Sequence, residues 1–255
     1  MDERLVAPEA HAEIIDGRVI LAPGSTEARG TLHADAGRLL AAVVAEGYSG
    51  ALSMLTRTDA LTDIAPDVSV FAEGEDPETG GRRLEEIALE VIDAGRLSYA
   101  TLKVERLAAR GVRRLFCVKA ATRRVCEWSH AHGDWETLDE GAVIEDRCFR
   151  VPIPVGAFVD QGLADNTVAR ALIAKGNPVI MAAIEEARRR RREVEERAAL
   201  LARPCSRKIG RALTDEERAV LCAKLDALGV ERVTEAVIDL DGDALAAWIV
   251  APTAG

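Results

Sequence analysis

Alternating apolar and polar positions predict a central strand near residue 90. In the run IALEVI, Ile87, Leu89 and Val91 would share one face of the strand and Ala88, Glu90 and Ile92 the other. A second apolar run, DVSVF, follows Pro66 and predicts a short buried strand. An ionised carboxylate is costly to bury without a partner, so the pattern around Glu90 indicates a nearby cation or metal ion.

Other patterned segments surround these two runs. EIIDGRVIL contains Asp16-Gly17, a dipeptide that favours a tight hairpin turn, and a short helix is expected at residues 3–11. Apolar residues at helical spacing predict a helix between residues 26 and 47, and ALSMLTR after it predicts a strand.

The second half of the sheet is predicted from residues 80–140. EGEDPETGGRR has the composition of an exposed loop. Residues 97–110 predict a helix, and Gly111 is placed to end it. The runs RLFCVK, RRVCEWSH and DWETLD predict three further strands, with a hairpin at Gly133 between the last two.

Strand patterns stop at about residue 160, and the rest of the chain predicts helices. A long, strongly charged helix is predicted to end at Pro204, where a short basic linker, CSRKIGRA, would begin. Thr214 and Glu217 then form the spacing of a capping box. The predicted organisation is an α/β domain at 1–160, a helical extension at 161–203 and a small helical module at 204–255.

Composition narrows the class of protein. The 255 residues are 48% hydrophobic and 30% charged, which is typical of a globular chain and not of a disordered one. No apolar run approaches the roughly 20 residues of a membrane span, and the acidic start is unlike a secretory signal. Five cysteines without C-x-x-C spacing indicate reduced thiols. We therefore expect a cytoplasmic protein with no membrane partner.

Basic residues are concentrated in one segment of a chain that is acidic as a whole. The net charge is −10, yet residues 96–124 contain nine basic residues and one acidic residue. A basic segment beside candidate phosphate chemistry is the electrostatic footprint expected of a protein that binds a nucleic-acid backbone. The alternative is a solvated helix face followed by charged turn ends.

The order of these segments resembles the PD-(D/E)XK nuclease fold, and within it the Uma family of restriction-endonuclease-like proteins. The resemblance covers about residues 10–145, and the matching segments are EIIDGRV at 13–19, Pro66-Asp67, ALEV at 88–91, Lys103 with Gly111-Val112, and LFCV. It implies a mixed sheet flanked by helices, to which this chain adds a helical C-terminal extension.

The resemblance also implies roles for individual residues. Asp67 and Glu90 would bind Mg²⁺ or Mn²⁺, with Glu13 as an additional acidic ligand, because these hard ions prefer carboxylate oxygens and water. Lys103 would be the catalytic lysine, supplied by the helix after the glutamate strand. DNA would be the substrate, and the residues expected to contact it are Arg106, Arg110, Arg113 and Arg114.

The sequence departs from the family pattern around this predicted site. Asp93-Ala94-Gly95 stands where the family usually has S-P-S/T, Tyr99 stands where it usually has an acid, and Lys119 ends a strand that usually ends in Asp.

The resemblance and these departures lead to different hypotheses about function. The first hypothesis is a metal-dependent DNA endonuclease, expected to be a homodimer. The second is a nuclease-fold protein that no longer cuts and acts as an assembly or adaptor module. A third is a plain DNA-binding module.

Three basic or histidine-containing features also have simpler interpretations. Lys103 shares a helical face with Tyr99, Arg106 and Arg110, a spacing that suits solvation equally well. The run Arg188–Arg192 is flanked by glutamates, which favours a salt-bridged exposed helix that pairs with a copy of itself or a partner. His130 and His132 have the spacing of a metal-binding pair but are more simply two exposed residues of a turn.

Overall fold

A computed structural model describes residues 12–20 and 26–251, and it has the predicted α/β class. The strands are β1 (Glu13–Ile15), β2 (Arg18–Ile20), β3 (Tyr48–Leu52), β4 (Thr56–Asp59), β5 (Thr62–Ile64), β6 (Val68–Ala72), β7 (Glu85–Ile92), β8 (Arg114–Lys119), β9 (Arg124–Ser129), β10 (Asp134–Thr137), β11 (Val143–Ile144) and β12 (Ile153–Pro154). The helices are α1 (Glu27–Val43), α2 (Leu97–Arg110), α3 (Gln161–Ala174), α4 (Pro178–Ile209), α5 (Asp215–Asp239) and α6 (Gly242–Val250), with a 3-10 turn at Val155–Phe158.

The main sheet has six strands in the order β10-β9-β8-β7-β6-β3. The pair β7 and β8 is parallel, and every other neighbouring pair is antiparallel. Helix α2 makes the crossover between the two parallel strands, as a parallel pair requires. A smaller sheet, in the order β2-β1-β5-β4, includes the predicted hairpin at Asp16-Gly17.

Strand β7 is central because both of its faces are covered. Ile87, Leu89 and Val91 pack on the side of α1, together with Val68 and Val70 of β6. Ala88 packs on the opposite side with Val104 and Leu107 of α2. The predicted alternation is therefore confirmed, and each fully buried aliphatic side chain contributes roughly 1.5–3 kcal/mol. Glu90 is the one acidic residue in the apolar run from Ile87 to Ile92 of this strand.

Several predicted boundaries coincide with the structure. Helix α2 ends where Gly111 adopts a left-handed conformation (φ 110°), which a residue with a side chain adopts only with strain. The hairpin between β9 and β10 turns at Gly133. Thr214 and Glu217 form both reciprocal hydrogen bonds of the predicted capping box at the start of α5.

Two predictions in the first third of the chain are wrong. Helix α1 ends at Val43 and does not continue to Gly47, because the Val44 backbone leaves the helix to pair with Phe149. The segment ALSMLTR is not one strand. It breaks at Ser53, which has a positive φ of 50°, so its two halves join different sheets as β3 and β4. The expected helix at residues 3–11 lies outside the described residues.

The described chain divides into two compact units, residues 1–177 and 178–255. Helix α3 belongs to the first unit, where Ala171 joins the core on the α1 side of the main sheet. The second unit contains α4, α5 and α6, whose core includes Ala198, Leu221 and Leu245. Among the described residues, no single helix has the length and apolar composition of a membrane span.

The prediction that the long helix ends at Pro204 is wrong. Helix α4 continues through Pro204 to Ile209, so the expected linker after it is helical. Proline lacks the amide proton that would bond to the carbonyl four residues earlier, but Pro204 is exposed and water can satisfy that carbonyl. Burial of Cys205 and of Ala202 on the same helix face favours continuation of the helix.

We expect Pro204→Ala to stabilise the second unit, because alanine restores a backbone hydrogen bond and removes a steric clash. Hydrogen exchange of amides in α4 to α6 should show an opening free energy higher by about 1–3 kcal/mol. Arg197→Ala, an exposed substitution on the same helix, should change it by less than about 0.5 kcal/mol. A neutral or destabilising Pro204→Ala would mean that α4 does not run through this position.

Candidate functional site

Strands β6 and β7 bring Asp67 and Glu90 to the same level of the main sheet. Val68 lies opposite Leu89 in the antiparallel register, so Asp67, one residue earlier, is level with Glu90. The amide of Val91 donates a 2.7 Å hydrogen bond to Asp67 Oδ2, which fixes the aspartate against the end of β7. Asp67 and Glu90 are both buried, with 8% and 5% of their surfaces exposed.

Lys103 reaches this pair from helix α2. Its position on the inward face, one turn after Ala100 and one before Leu107, buries the side chain to 3% exposure. The Lys103 ammonium lies 2.7 Å from Glu90 Oε1, off the direction of a well-formed hydrogen bond, so charge holds the pair together. The interpretation of Lys103 as a solvated surface residue is therefore wrong.

Glu13 of β1 completes the contacts of Lys103. Its Oε1 lies 2.8 Å from Lys103 Nζ and also accepts a 2.9 Å hydrogen bond from the Ala65 amide. The Tyr99 hydroxyl donates a 2.6 Å hydrogen bond to Glu13 Oε2, and Lys103 donates one of 2.8 Å to the Ala65 carbonyl. Glu13, Glu90 and Lys103 therefore form a single buried ion cluster, which we call the lysine cluster.

The electrostatics of the lysine cluster separate its two glutamates. Burial raises the pKa of Glu90 to about 7, against the attraction of Lys103 and with added repulsion from Asp67. Burial also acts to raise the pKa of Glu13, but Lys103 and the Tyr99 hydroxyl outweigh it and lower that pKa. For Lys103, the two glutamates outweigh burial and raise its pKa, so the ammonium stays charged.

Asp67 is held by a different cation, Arg29 of helix α1. Two hydrogen bonds of 2.8 and 3.0 Å join the Arg29 Nη2 atom to the two oxygens of Asp67. The Nε atom of Arg29 donates a further 2.7 Å bond to the Val91 carbonyl. His33, one turn later in α1, has Nε2 3.1 Å from the Asp67 carbonyl oxygen. Helix α1 thus fixes the ends of both β6 and β7.

Carboxylate oxygens are ligands that Mg²⁺ prefers, and each of the three carboxylates here already has a partner within the chain. Glu90 Oε1 is buried with the Lys103 ammonium 2.7 Å away, so a metal ion bound there would have to share or displace that contact. Asp67 would have to exchange its contact with Arg29 for the ion, and both oxygens of Glu13 already accept hydrogen bonds. Within the described residues, no group of three or more His, Cys, Asp and Glu is arranged to hold a metal. Asp67 and Glu90 together with water match how Mg²⁺ is usually bound.

Ion pairs within the chain hold three arginines that were expected to contact DNA: Arg106, Arg113 and Arg114. Arg106 pairs with Asp16 at 2.8 Å. Arg113 pairs with Asp146 and Glu86 at 2.7 and 2.9 Å, and Arg114 pairs with Glu127 at 2.6 Å. Arg110 lies one turn after Arg106 on α2. The positive charge that the sequence concentrates in residues 96–124 is therefore largely balanced by acids from other segments.

The two histidines near the β9–β10 hairpin have separate partners. His132 Nδ1 lies 2.8 Å from Glu136, and His130 Nε2 lies 3.0 Å from the Arg113 carbonyl oxygen. Both residues are exposed. This arrangement agrees with the simpler interpretation of two turn residues.

Sequence reasoning missed Arg29 and the role of Tyr99. A signal for Arg29 was present, because it continues the helical spacing of the buried residues Leu32, Ala36 and Val43. A basic residue on the buried stripe of a helix requires an acidic partner. Tyr99 replaces an acid of the resembled family, yet its hydroxyl contacts the same cluster through Glu13.

A solved structure of another protein shares this fold. It is a DUF820 protein from Anabaena variabilis ATCC 29413, described as a candidate nuclease, with a TM-score of 0.50 and 15% sequence identity. The match covers 62% of this chain and 94% of that chain. The likeness shows a nuclease-like fold for this protein.

The sequence comparisons do not add a family. A model of the MoeA C-terminal region (domain IV) matches residues 17–78, which is well under half of the chain. That match ends before β7 and α2, so it contains neither Glu90 nor Lys103. No curated protein matches the sequence.

Glu90 should titrate near neutral pH. In a carbon-13 NMR titration of the glutamate carboxyl groups, one group should have its midpoint at about pH 7, and Lys103→Met should raise that midpoint. A midpoint for Glu90 near 4.5, unchanged in the variant, would contradict the burial and pairing described above.

The raised pKa of Glu90 determines the direction in which the free energy of unfolding should change with pH. Because the folded-state pKa of Glu90 is raised from 4.5 to about 7, the folded state binds its proton more tightly than the unfolded state does. The contribution of Glu90 to the free energy of unfolding should therefore fall as the pH rises through this window. Glu90→Gln should remove that dependence in denaturant titrations, and an identical pH profile for both proteins would contradict it.

Proposed function

We propose that this chain is a metal-dependent endonuclease that hydrolyses phosphodiester bonds in DNA. The observation that supports this most is the contact between Lys103 and Glu90. A lysine from a helix, thirteen positions after the strand glutamate, meets that glutamate at 2.7 Å beside the buried Asp67. Such a convergence of two acids and a lysine at the end of a central strand is the set of groups that this chemistry uses.

Asp67 and Glu90 are the residues that would hold Mg²⁺ or Mn²⁺. When bound, the ion would supply Lewis-acid activation of a water molecule and stabilisation of negative charge on the phosphate. The protein has to present both carboxylates ionised, and the raised pKa of Glu90 makes this step pH-dependent. Release of Asp67 from Arg29 is the second requirement, since one guanidinium nitrogen contacts both of its oxygens.

Lys103 would act as a fixed positive charge beside the reacting phosphate. Glu13 and Glu90 hold its ammonium from two sides, and the Ala65 carbonyl accepts a hydrogen bond from it. A preorganised cation in a water-poor site stabilises developing negative charge without the cost of reorienting solvent. Glu13 serves mainly to position Lys103, because its own oxygens are occupied by Tyr99 and Ala65.

DNA contact by Arg106, Arg110, Arg113 and Arg114 would require an exchange of partners. The ion pairs of Arg106 and Arg113 are partly exposed, with 39% and 38% of the side chains accessible, so a phosphate can compete with their carboxylates. Exposed ion pairs are individually weak, typically below about 1 kcal/mol. These residues are therefore proposed to steer and hold DNA and not to specify sequence.

In a plasmid-cleavage assay with Mg²⁺ or Mn²⁺, Glu90→Gln and Lys103→Met should each lower the cleavage rate by about 100-fold or more. The substitutions remove a metal ligand and the charge beside the phosphate. Glu105→Gln, which neutralises an exposed acid on α2, is the matched control and should retain the wild-type rate. Equal cleavage by wild type and Glu90→Gln would rule out this site as the catalytic centre.

A second candidate function is a nuclease-fold protein that no longer cuts and acts in assembly. The contact that favours it is the Arg29–Asp67 pair, because an arginine occupies both oxygens of the acid that a nuclease would give to its metal. The helical second unit also exposes large apolar side chains, including Leu200 and Ile238, at 74% and 68%. These side chains are available for contact with another protein.

The second candidate predicts oligomerisation through residues 178–255 and no metal binding. Sedimentation equilibrium of the full chain should then give a dimer, and a chain ending at Asn177 should give a monomer. Isothermal titration with Mn²⁺ should give no saturable heat. A saturable metal site that is lost in Asp67→Asn would instead favour the endonuclease.

A further inference from the structure

The helical second unit contains a cleft lined by three arginines. It lies between the last turns of α4 and the first turns of α5 and has a volume of about 390 Å³. The lining residues are Ala199, Ala202, Arg203, Ser206, Arg207 and Arg218. A cleft of this size is within the range that binds small molecules or a few groups of a larger ligand.

In the part of the chain that the structure describes, the three arginines of this cleft lack the ion pairs that several other arginines of α4 form. Among the described residues, no carboxylate forms an ion pair with Arg203, Arg207 or Arg218, whereas exposed arginines earlier on α4, such as Arg191 and Arg192, pair with glutamates. Within the described residues, the only hydrogen bond from the Arg218 side chain runs from Nε to the Leu213 carbonyl. The guanidinium nitrogens therefore keep most of their donors available.

Convergence of three cations has a cost in the free protein. Arg203 and Arg207 are one helical turn apart, and like charges at this spacing destabilise a helix. Arg218 adds a third positive charge from the facing helix. An anion bound between the three side chains would remove this repulsion and gain charge-assisted hydrogen bonds.

We infer that this cleft is a binding site for phosphate groups. Arginine guanidinium groups match the oxygens of phosphate in planar, bidentate geometry and are always protonated. The Ser206 hydroxyl accepts a hydrogen bond from the Leu213 amide at 3.4 Å, so its proton is free to be donated to a phosphate oxygen. Ala199 and Ala202 also line the cleft, and their small side chains leave room for a ligand.

Two sources could supply the phosphate groups: the backbone of a nucleic acid, or a small phosphorylated molecule. The recognition chemistry is the same in both cases. The site lies wholly within α4 and α5, so it does not depend on Asp67, Glu90 or Lys103. It is therefore independent of the proposed endonuclease activity.

The test measures binding by the full chain in the presence of a metal chelator, so that no cleavage can occur. One arm titrates inorganic pyrophosphate by calorimetry, and the other titrates a labelled DNA duplex by fluorescence anisotropy at several salt concentrations. The cleft variant is the double substitution Arg203→Gln with Arg207→Gln. Its matched control is Arg188→Gln with Arg197→Gln, which removes the same charge from exposed positions of α4 outside the cleft.

The cleft variant should weaken binding of at least one probe by about tenfold or more, since each charge-assisted hydrogen bond contributes substantially to affinity. For duplex DNA, the salt dependence should also become shallower by about two phosphate contacts. The control should bind as the wild type does, and circular dichroism should show equal helix content in all three proteins.

The outcomes separate the two ligand sources. Loss of pyrophosphate binding alone indicates a small phosphorylated ligand, and loss of duplex binding indicates the nucleic-acid backbone. Binding that falls equally in the cleft variant and the control would overturn the proposal, because net charge would then explain it. Absence of binding to both probes by the wild type would overturn it as well.

Discussion

The buried ammonium of Lys103 is the constraint on which the α2 side of the sheet depends. Placing an ammonium in a protein interior costs several kcal/mol unless paired charges and hydrogen bonds compensate. Glu13, Glu90 and the Ala65 carbonyl supply that compensation here. This cost exceeds the roughly 1.5–3 kcal/mol that one buried aliphatic side chain contributes. The lysine cluster therefore fixes the positions of the β1–β2 hairpin, strand β7 and helix α2 relative to one another. Loss of Lys103 would leave two buried carboxylates without their cation, and loss of Glu13 or Glu90 would leave the ammonium with a single carboxylate.

The opposite side of the same strand end is fixed by a second cation. Arg29 joins helix α1 to Asp67 and to the backbone of β7, as Lys103 joins helix α2 to Glu90. The two acids of the candidate site are therefore each neutralised by a helix that covers one face of the sheet. The contacts of Arg29 and Lys103 that stabilise the fold compete with a metal ion for the two carboxylates. Function therefore depends on how tightly Asp67 and Glu90 bind that ion.

Much of the fold could be predicted because local signals agreed with tertiary packing. The alternation in β7, the bounds of α2 and the capping box at Thr214 are encoded within a few residues each. The predictions failed where distant contacts decided the outcome. ALSMLTR divides at Ser53 because its halves pair with β6 and β5, and α4 passes Pro204 because Cys205 is buried against the rest of its unit.

At the candidate site, too, local signals could be read from the sequence and distant contacts could not. Strand alternation located Glu90, and the family resemblance placed Lys103 beside it, which agrees with the 2.7 Å contact. The partners of the predicted arginines could not be derived, because Asp16, Asp146 and Glu127 come from separate segments that only the folded sheet brings together. A local excess of basic residues is therefore a weak predictor of free positive charge in a folded protein.

Metal affinity tests the central claim most directly. Isothermal titration of the full chain with Mn²⁺ should give one saturable site that is lost in both Asp67→Asn and Glu90→Gln and kept in Glu105→Gln. That result would show that the two acids leave their cations to share an ion. Binding of equal strength in the wild type and in both acid variants, or no binding in any of them, would contradict a metal site at this strand end.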